Sequence, residues 1–63
     1  MYKYLVYYDG ALLHDSSEHG YTYEDDEESF IEASDYIDGK IDDWEADEVE
    51  YDRDLFSVEV EEV

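Results

Sequence analysis

The chain has 63 residues, of which 22 are Asp or Glu and only three are Lys or Arg, so its formal net charge is -19. The absence of Cys excludes disulfides and thiolate metal sites, and so short a chain has room for one small core and no deep cleft. Direct binding to nucleic acid or to anionic lipid is disfavoured as well, because like charges repel.

Aromatic residues separate this chain from a disordered acidic tail. Eight Tyr, two Phe and one Trp are present, in periodic segments that can form a core. The apolar run in residues 1–10 is short and rich in Tyr, so it predicts neither a signal peptide nor a membrane span. We expect a single folded domain over residues 1–63, located in the cytoplasm.

The N-terminal residues predict a β-hairpin. Residues 2–8 are almost all aromatic or β-branched, a composition typical of a strand. Asp9-Gly10 is the strongest two-residue hairpin pattern, and residues 11–14 can form the returning strand.

A long amphipathic helix is predicted from Thr22 to about Trp44. Thr22 with Asp25 three residues later resembles a capping box, and acids follow where the helix dipole favours them. Apolar residues then recur at steps of three and four along one narrow stripe: Phe30, Ala33, Ile37, Ile41 and Trp44. Gly39 costs about 1 kcal/mol relative to Ala and is an alternative helix end, but the stripe continues beyond it and favours a longer helix.

The last third of the chain predicts an acidic linker and a strand. Residues 45–54 hold six acids in ten residues. We expect this linker to be a loop or an irregular strand, with Val49 and Tyr51 as the candidate anchors to the core. From Phe56 onward, apolar and polar residues alternate as in a half-buried strand. The predicted fold is therefore α+β, with an N-terminal β-hairpin, one acidic amphipathic helix and a C-terminal strand in an antiparallel sheet.

No catalytic pattern is present. The sequence lacks a Gly-rich phosphate loop and a nucleophile elbow, and it is too short to enclose a substrate. His14 and His19 lie among acids, but their spacing matches no closed tetrahedral metal site. An EF-hand alignment on Gly39 places Ser34 and Tyr36 at the first two ligand positions, where acids are required. We expect no enzyme activity, no cofactor and no dedicated metal site.

The acids of the predicted helix form one anionic face. Helical geometry places these acids opposite the apolar stripe: Glu24, Asp25, Glu28, Glu32, Asp35, Asp42 and Asp43. Ten acids in the twenty residues 24–43 give about one charge per 3 Å of helix axis, and a DNA strand carries about one phosphate per 3.4 Å. This density makes phosphate mimicry physically reasonable, and the alternative is a face that is only solvated.

Neighbouring residues extend the candidate binding surface. Glu45, Asp47 and Glu48 of the linker continue the run of acids. Tyr36 is expected beside the acidic face, and Tyr is a residue type enriched at protein interfaces.

As a class, the chain resembles the small acidic phage proteins that act as DNA mimics and inhibit host defence, the anti-CRISPR and antirestriction inhibitors. The resemblance depends on the short length, the acidic helix 22–44, and the acid-rich stretches 45–54 and 59–62. It implies occupation of a nucleic-acid-binding groove without catalysis, and it carries over no individual residue.

The sequence therefore favours a DNA mimic that inhibits a host defence protein, such as a CRISPR effector or a restriction enzyme, by competition. The expected partner is a basic nucleic-acid-binding protein of the host, and the expected location is the host cytoplasm if a phage encodes the protein. Direct nucleic-acid binding and membrane binding are not expected, and a homodimer is left open. The alternative is an acidic interaction adaptor, or a small halophile subunit whose acids serve solvation at high salt.

Overall fold

The predicted β-hairpin forms the N-terminal part of the fold. The computed structural model describes residues 1–63, with strand β1 at Tyr2–Tyr8 and strand β2 at Ala11–Asp15, paired antiparallel. Between the strands, Asp9 and Gly10 have positive φ angles of 49° and 80°. Positive φ at both central residues is what a type I′ hairpin turn requires, so the prediction from Asp-Gly is confirmed.

A β-bulge bends the returning strand. Val6 pairs with His14 and Tyr7 pairs with Leu12, so Leu13 is the extra residue on β2. In a regular strand two successive side chains point to opposite faces. At the bulge, Leu13 and His14 both contact residues of the buried face.

The C-terminal strand completes a three-stranded antiparallel sheet. Strand β3, Phe56–Glu62, pairs with the free side of β1, and the strand order is β2-β1-β3. Val60 lies opposite Tyr4, and Val58 lies opposite Val6, so these apolar side chains share one face of the sheet. The predicted strand is confirmed.

Helix α1, Asp26–Ala46, covers this face of the sheet. The helix residues Ala33 and Ile41 are buried against the sheet, and Tyr4, Val6 and Ala33 form the centre of the core. The prediction of an α+β fold is confirmed, and so is the expectation that the helix continues past Gly39. No helix in the structure is both long enough and apolar enough to cross a membrane.

The predicted start of the helix at Thr22 is wrong. Tyr23 makes two backbone hydrogen bonds with Tyr2, of 2.7 and 2.8 Å, so its N–H and C=O groups belong to a β-bridge and not to a helical turn. Asp25 is the N-cap with extended backbone, and its side chain makes no capping hydrogen bond. The capping box is therefore absent, and α1 begins at Asp26.

The helix ends at Ala46, two residues into the predicted linker. The N–H of Val49 donates to the carbonyl of Trp44 at 2.8 Å, and the N–H of Glu48 donates to the carbonyl of Glu45 at 3.2 Å. Glu48 has a positive φ of 58°. This is a Schellman ending with Glu in the position that Gly usually takes, which explains why the sequence does not mark it.

An aromatic cluster closes the C-terminal end of α1. The ring of Trp44 lies 5.0 Å from that of Tyr8, 5.4 Å from that of Phe56 and 6.0 Å from that of Tyr51, measured between centroids. Tyr51 anchors the linker as expected, and its hydroxyl donates to Glu45 at 2.7 Å. Val49, the other expected anchor, is instead 45% exposed.

Candidate partner-binding surface

The exposed side of α1 is dominated by acids. We call them together the anionic surface: Asp26, Glu27, Glu28, Glu32, Asp35, Asp38, Asp42, Asp43 and Glu45, all exposed. Nine acids on a helix of 21 residues give about one charge per 3.5 Å at a rise of about 1.5 Å per residue. This density is close to that of one DNA strand, about one phosphate per 3.4 Å.

Most predicted binding residues lie on or next to this surface. Six belong to α1: Glu28, Glu32, Asp35, Asp42, Asp43 and Glu45. Glu24 and Asp25 come before the helix, while Asp47 and Glu48 form the turn after it. These four side chains are also exposed, and they extend the acids beyond both ends of α1.

Three acids of the surface were not predicted as binding residues. Asp26 and Glu27 lie in the first turn of α1, and Asp38 lies one turn from both Asp35 and Asp42. The sequence could have indicated them, because all three belong to the acid-rich stretch from residue 24 to residue 43.

Tyr36 lies one turn from Glu32, at the edge of the anionic surface, but its ring also packs on the core, which was not expected. Its half-buried ring packs against the core of Tyr4, Val6 and Ala33, and it stacks on the ring of His14 with centroids 4.2 Å apart. The bulge in β2 places His14 on this side of the sheet. Burial is also the main reason that the pKa of Tyr36 is raised.

The few basic residues leave the anionic surface almost unpaired. The ammonium of Lys3 lies 3.1 Å from Asp15 and 4.0 Å from Glu61, in a pairing register that places it on the sheet face opposite α1. Lys40 lies over the ring of Trp44, 5.6 Å from its centroid. The third base, Arg53, makes an exposed ion pair with Asp38 at 3.4 Å. Asp38 is thus the only acid of the anionic surface in an ion pair.

Like charges on this surface cost helix stability. Glu28 and Glu32 are four residues apart, as are Asp38 and Asp42, and each such pair destabilises a helix by about 0.2–0.5 kcal/mol. Acids also occupy the last turn of α1, where no basic residue is present and the helix dipole is negative. Folding alone therefore does not account for this arrangement of acids.

The two histidines, which the sequence placed among acids, stack on each other. Their ring centroids are 4.7 Å apart. Burial, followed by the nearby His19, lowers the pKa of His14. Hydrogen bonds from Ser17 and Lys3 hold the pKa of Asp15 below its usual value. No group of three or more His, Cys, Asp or Glu residues lies close enough together to hold a metal ion.

An apolar pocket of about 400 Å³ lies beside the N-terminal turns of α1. Phe30, Ile31 and Val60 line it, together with Asp26 and Glu27. Phe30 and Ile31 are 55% and 59% exposed. Phe30 was expected in the buried stripe, but it lies at the margin of that stripe beside β3, which is an edge strand with no further strand to cover it.

Sequence reasoning missed this pocket, although one residue indicated it. Ile31 falls about 160° around the helix from Ala33 at about 100° per residue, in the middle of the acid-rich side. An apolar residue at that position cannot contribute to the core of this sheet, so Ile31 is exposed and forms one apolar patch with Phe30.

Comparisons of the chain with protein-family models, curated proteins and solved structures gave no match.

Proposed function

We propose that the anionic surface of α1 occupies the basic nucleic-acid-binding groove of a host defence protein, such as a CRISPR effector or a restriction enzyme, and inhibits it by competition. The observation that carries this proposal is the row of nine exposed acids, of which only Asp38 has an ion-pair partner. Unpaired charge at this density is available to the Lys and Arg residues that normally contact phosphates.

The support of α1 by the sheet strengthens the proposal. Ala33 and Ile41 are buried at 0% and 6% exposure, so the helix carries its acids on a fixed axis. A disordered acidic tail must lose conformational entropy when it binds, whereas acids on a packed helix have already lost most backbone freedom. Such a surface should therefore compete with nucleic acid better than a disordered tail of the same net charge.

Competition is also consistent with the energetic cost of the surface. Repulsion along α1 lowers the stability of the folded protein, and a basic groove would relieve that repulsion on binding. The acids at the two ends of the helix, Glu24 and Asp25 before it and Asp47 and Glu48 after it, lengthen the contact.

A nucleic-acid displacement titration tests the proposal. Labelled DNA bound to purified CRISPR effectors and restriction enzymes is titrated with the parent protein and with the triple variant Glu28→Lys, Glu32→Lys, Asp35→Lys. These three side chains are exposed, so the fold should persist while attraction becomes repulsion. We expect the parent to displace DNA from its target, the variant to fail, and displacement to weaken steeply with salt.

A second triple variant controls for net charge. Glu18→Lys, Glu50→Lys and Glu62→Lys change the charge equally at exposed positions outside α1. This control should displace DNA far better than the helix variant. Equal displacement by the parent and the helix variant would contradict the proposal and favour the adaptor, and equal loss in both variants would reduce it to a net-charge effect.

A further inference from the structure

The pocket between α1 and β3 has a composition that phosphate mimicry does not require. Phe30 and Ile31 each expose more than half of their surface beside Val60. Exposed apolar side chains scattered singly are ordinary, but a contiguous group around a concavity marks an interaction site. Water is a poor occupant of such a pocket, and a partner's apolar side chain is a favourable one.

The electrostatic surroundings of the pocket are strongly negative. Asp26 and Glu27 belong to its lining, and Glu28, Asp25 and Glu24 lie within one turn along the chain. The N-terminus of a helix contributes about half of a positive charge, which these five carboxylates outweigh. Any side chain that enters the pocket therefore does so through a field that attracts cations.

We infer that this pocket binds a large aliphatic side chain of a basic protein segment, with Lys or Arg residues on either side of that side chain. This deepens the proposed function, on which it rests, by adding a contact that nucleic acid does not make. Ile31 joins the two parts of the contact, because it lines the pocket and lies on the acid-rich side of α1. The partner would thus be held by charge along the helix and selected by the apolar side chain at one end.

Charge complementarity favours this occupant over a second copy of the chain. Two copies meeting at this pocket would bring together two proteins of net charge -19 each. A basic segment would instead neutralise the carboxylates around the pocket while its aliphatic side chain contacts Phe30 and Val60.

Two synthetic peptides test the inference. Both consist of Lys and Arg residues, and they differ only at the central residue, which is Leu in one and Ser in the other. Calorimetry gives the two dissociation constants, and NMR of the labelled protein follows the amide signals of Phe30, Ile31 and Val60. For the parent we expect the Leu peptide to bind about tenfold more tightly, because one aliphatic side chain becomes buried. Its binding should also shift these three signals.

Two protein variants locate the effect. In Ile31→Ser the ratio of the two dissociation constants should fall to about one, while charge-driven binding of both peptides remains. Leu12→Ser is the matched control, since Leu12 is 52% exposed on β2 and outside the pocket, and it should keep the parent's ratio. Ile31 is 59% exposed, so the fold should tolerate the change.

Each other outcome overturns the inference in a distinguishable way. Equal binding of the two peptides by the parent removes the pocket from the contact but leaves displacement of DNA by the anionic surface intact. Binding of neither peptide contradicts both proposals. Signals of Ile31 and Val60 that shift with protein concentration, without any peptide, would identify a second copy as the occupant.

Discussion

The two ends of helix α1 differ in what covers their apolar side chains. At the C-terminal end Trp44 packs on Tyr8 and Phe56. At the N-terminal end Phe30 and Ile31 remain more than half exposed. Both ends belong to one amphipathic helix on one sheet, so amphipathic periodicity alone does not decide which apolar residues form the core.

The register of β1 and β3 explains the difference. Near Trp44 the two strands present a pair of aromatic residues, Tyr8 opposite Phe56. Toward the other end of β3 the strand contributes Val60 and then Glu62. A Val side chain is too small to cover Phe30, and a Glu remains in solvent. The C-terminal end is therefore covered by aromatic side chains, and the N-terminal end stays open to solvent.

Truncating the aromatic residue at each end should show the largest effect. Trp44→Ala should destabilise the protein by about 3 kcal/mol, because it removes the centre of the aromatic cluster. That is a large share of the stability available to so small a domain. Phe30→Ala is the matched change at the open end and should cost less than about 1 kcal/mol. Urea unfolding of both variants measures the difference, and similar losses would contradict the contrast between the ends.

The N-terminal end of α1 also contains a buried polar group without a hydrogen-bond partner. Ser29 is fully buried at 0% exposure, and its Oγ has no hydrogen-bond partner. A buried hydroxyl without a partner costs about 1–3 kcal/mol, so Ser29→Ala should raise the free energy of unfolding by about 1 kcal/mol.

The control for this change is Ser34→Ala on the same helix. Ser34 is exposed, so its replacement should contribute only the higher helix propensity of Ala, about 0.5 kcal/mol. Thermal unfolding of the two variants compares them. Equal stabilisation would show that the hydroxyl of Ser29 carries no penalty.

The smallest expected effect concerns His14, which stacks on Tyr36 between the two ends of α1. Its pKa is lowered from 6.5, mainly by burial, so the unfolded chain binds a proton more readily than the folded protein. His14 therefore contributes stability above pH 6.5, and this contribution is lost as the pH falls from 6.5 toward the lower folded pKa.

His14→Phe isolates this contribution while it keeps an aromatic ring against Tyr36. Thermal melts at about pH 8 and about pH 5 should show that acidification costs the parent more stability than it costs the variant. Repulsion among the carboxylates is the same in both proteins and cancels in the comparison. A variant that responds to pH as the parent does would show that His14 is not linked to folding.

Local patterns determined much of the fold. Asp9-Gly10 specifies a turn with two positive φ angles, and the alternation from Phe56 onward specifies a half-buried strand. The positions of the helix ends could not be predicted. Tyr23 is held by a β-bridge to Tyr2, a partner distant in sequence, and the helix ends on Glu48 in a conformation that Gly usually marks.

The candidate site was predictable in its charge and not in its apolar part. Acids on a helix stay exposed because burying them is costly, so the sequence alone located Glu28, Glu32 and Asp35 on the surface. An apolar or aromatic side chain is stabilised by burial either in the core or at an interface, and the sequence pattern alone does not decide between these two locations. The sequence pattern placed Phe30 in the buried stripe, whereas Phe30 is 55% exposed, and it did not indicate that Tyr36 packs against the core.

By itself, the sequence determined the fold class, the hairpin and the acidic character of the helix, because these depend on turn geometry, on periodicity and on the cost of desolvating charge. Only the tertiary structure decided which side chains share a contact. The bulge in β2 brought His14 to Tyr36, and the edge position of β3 left a pocket beside Phe30 and Ile31. Such contacts join residues far apart in the chain, and they depend on the bulge in β2 and on the pairing of β3 with β1, which no local pattern in the sequence specifies.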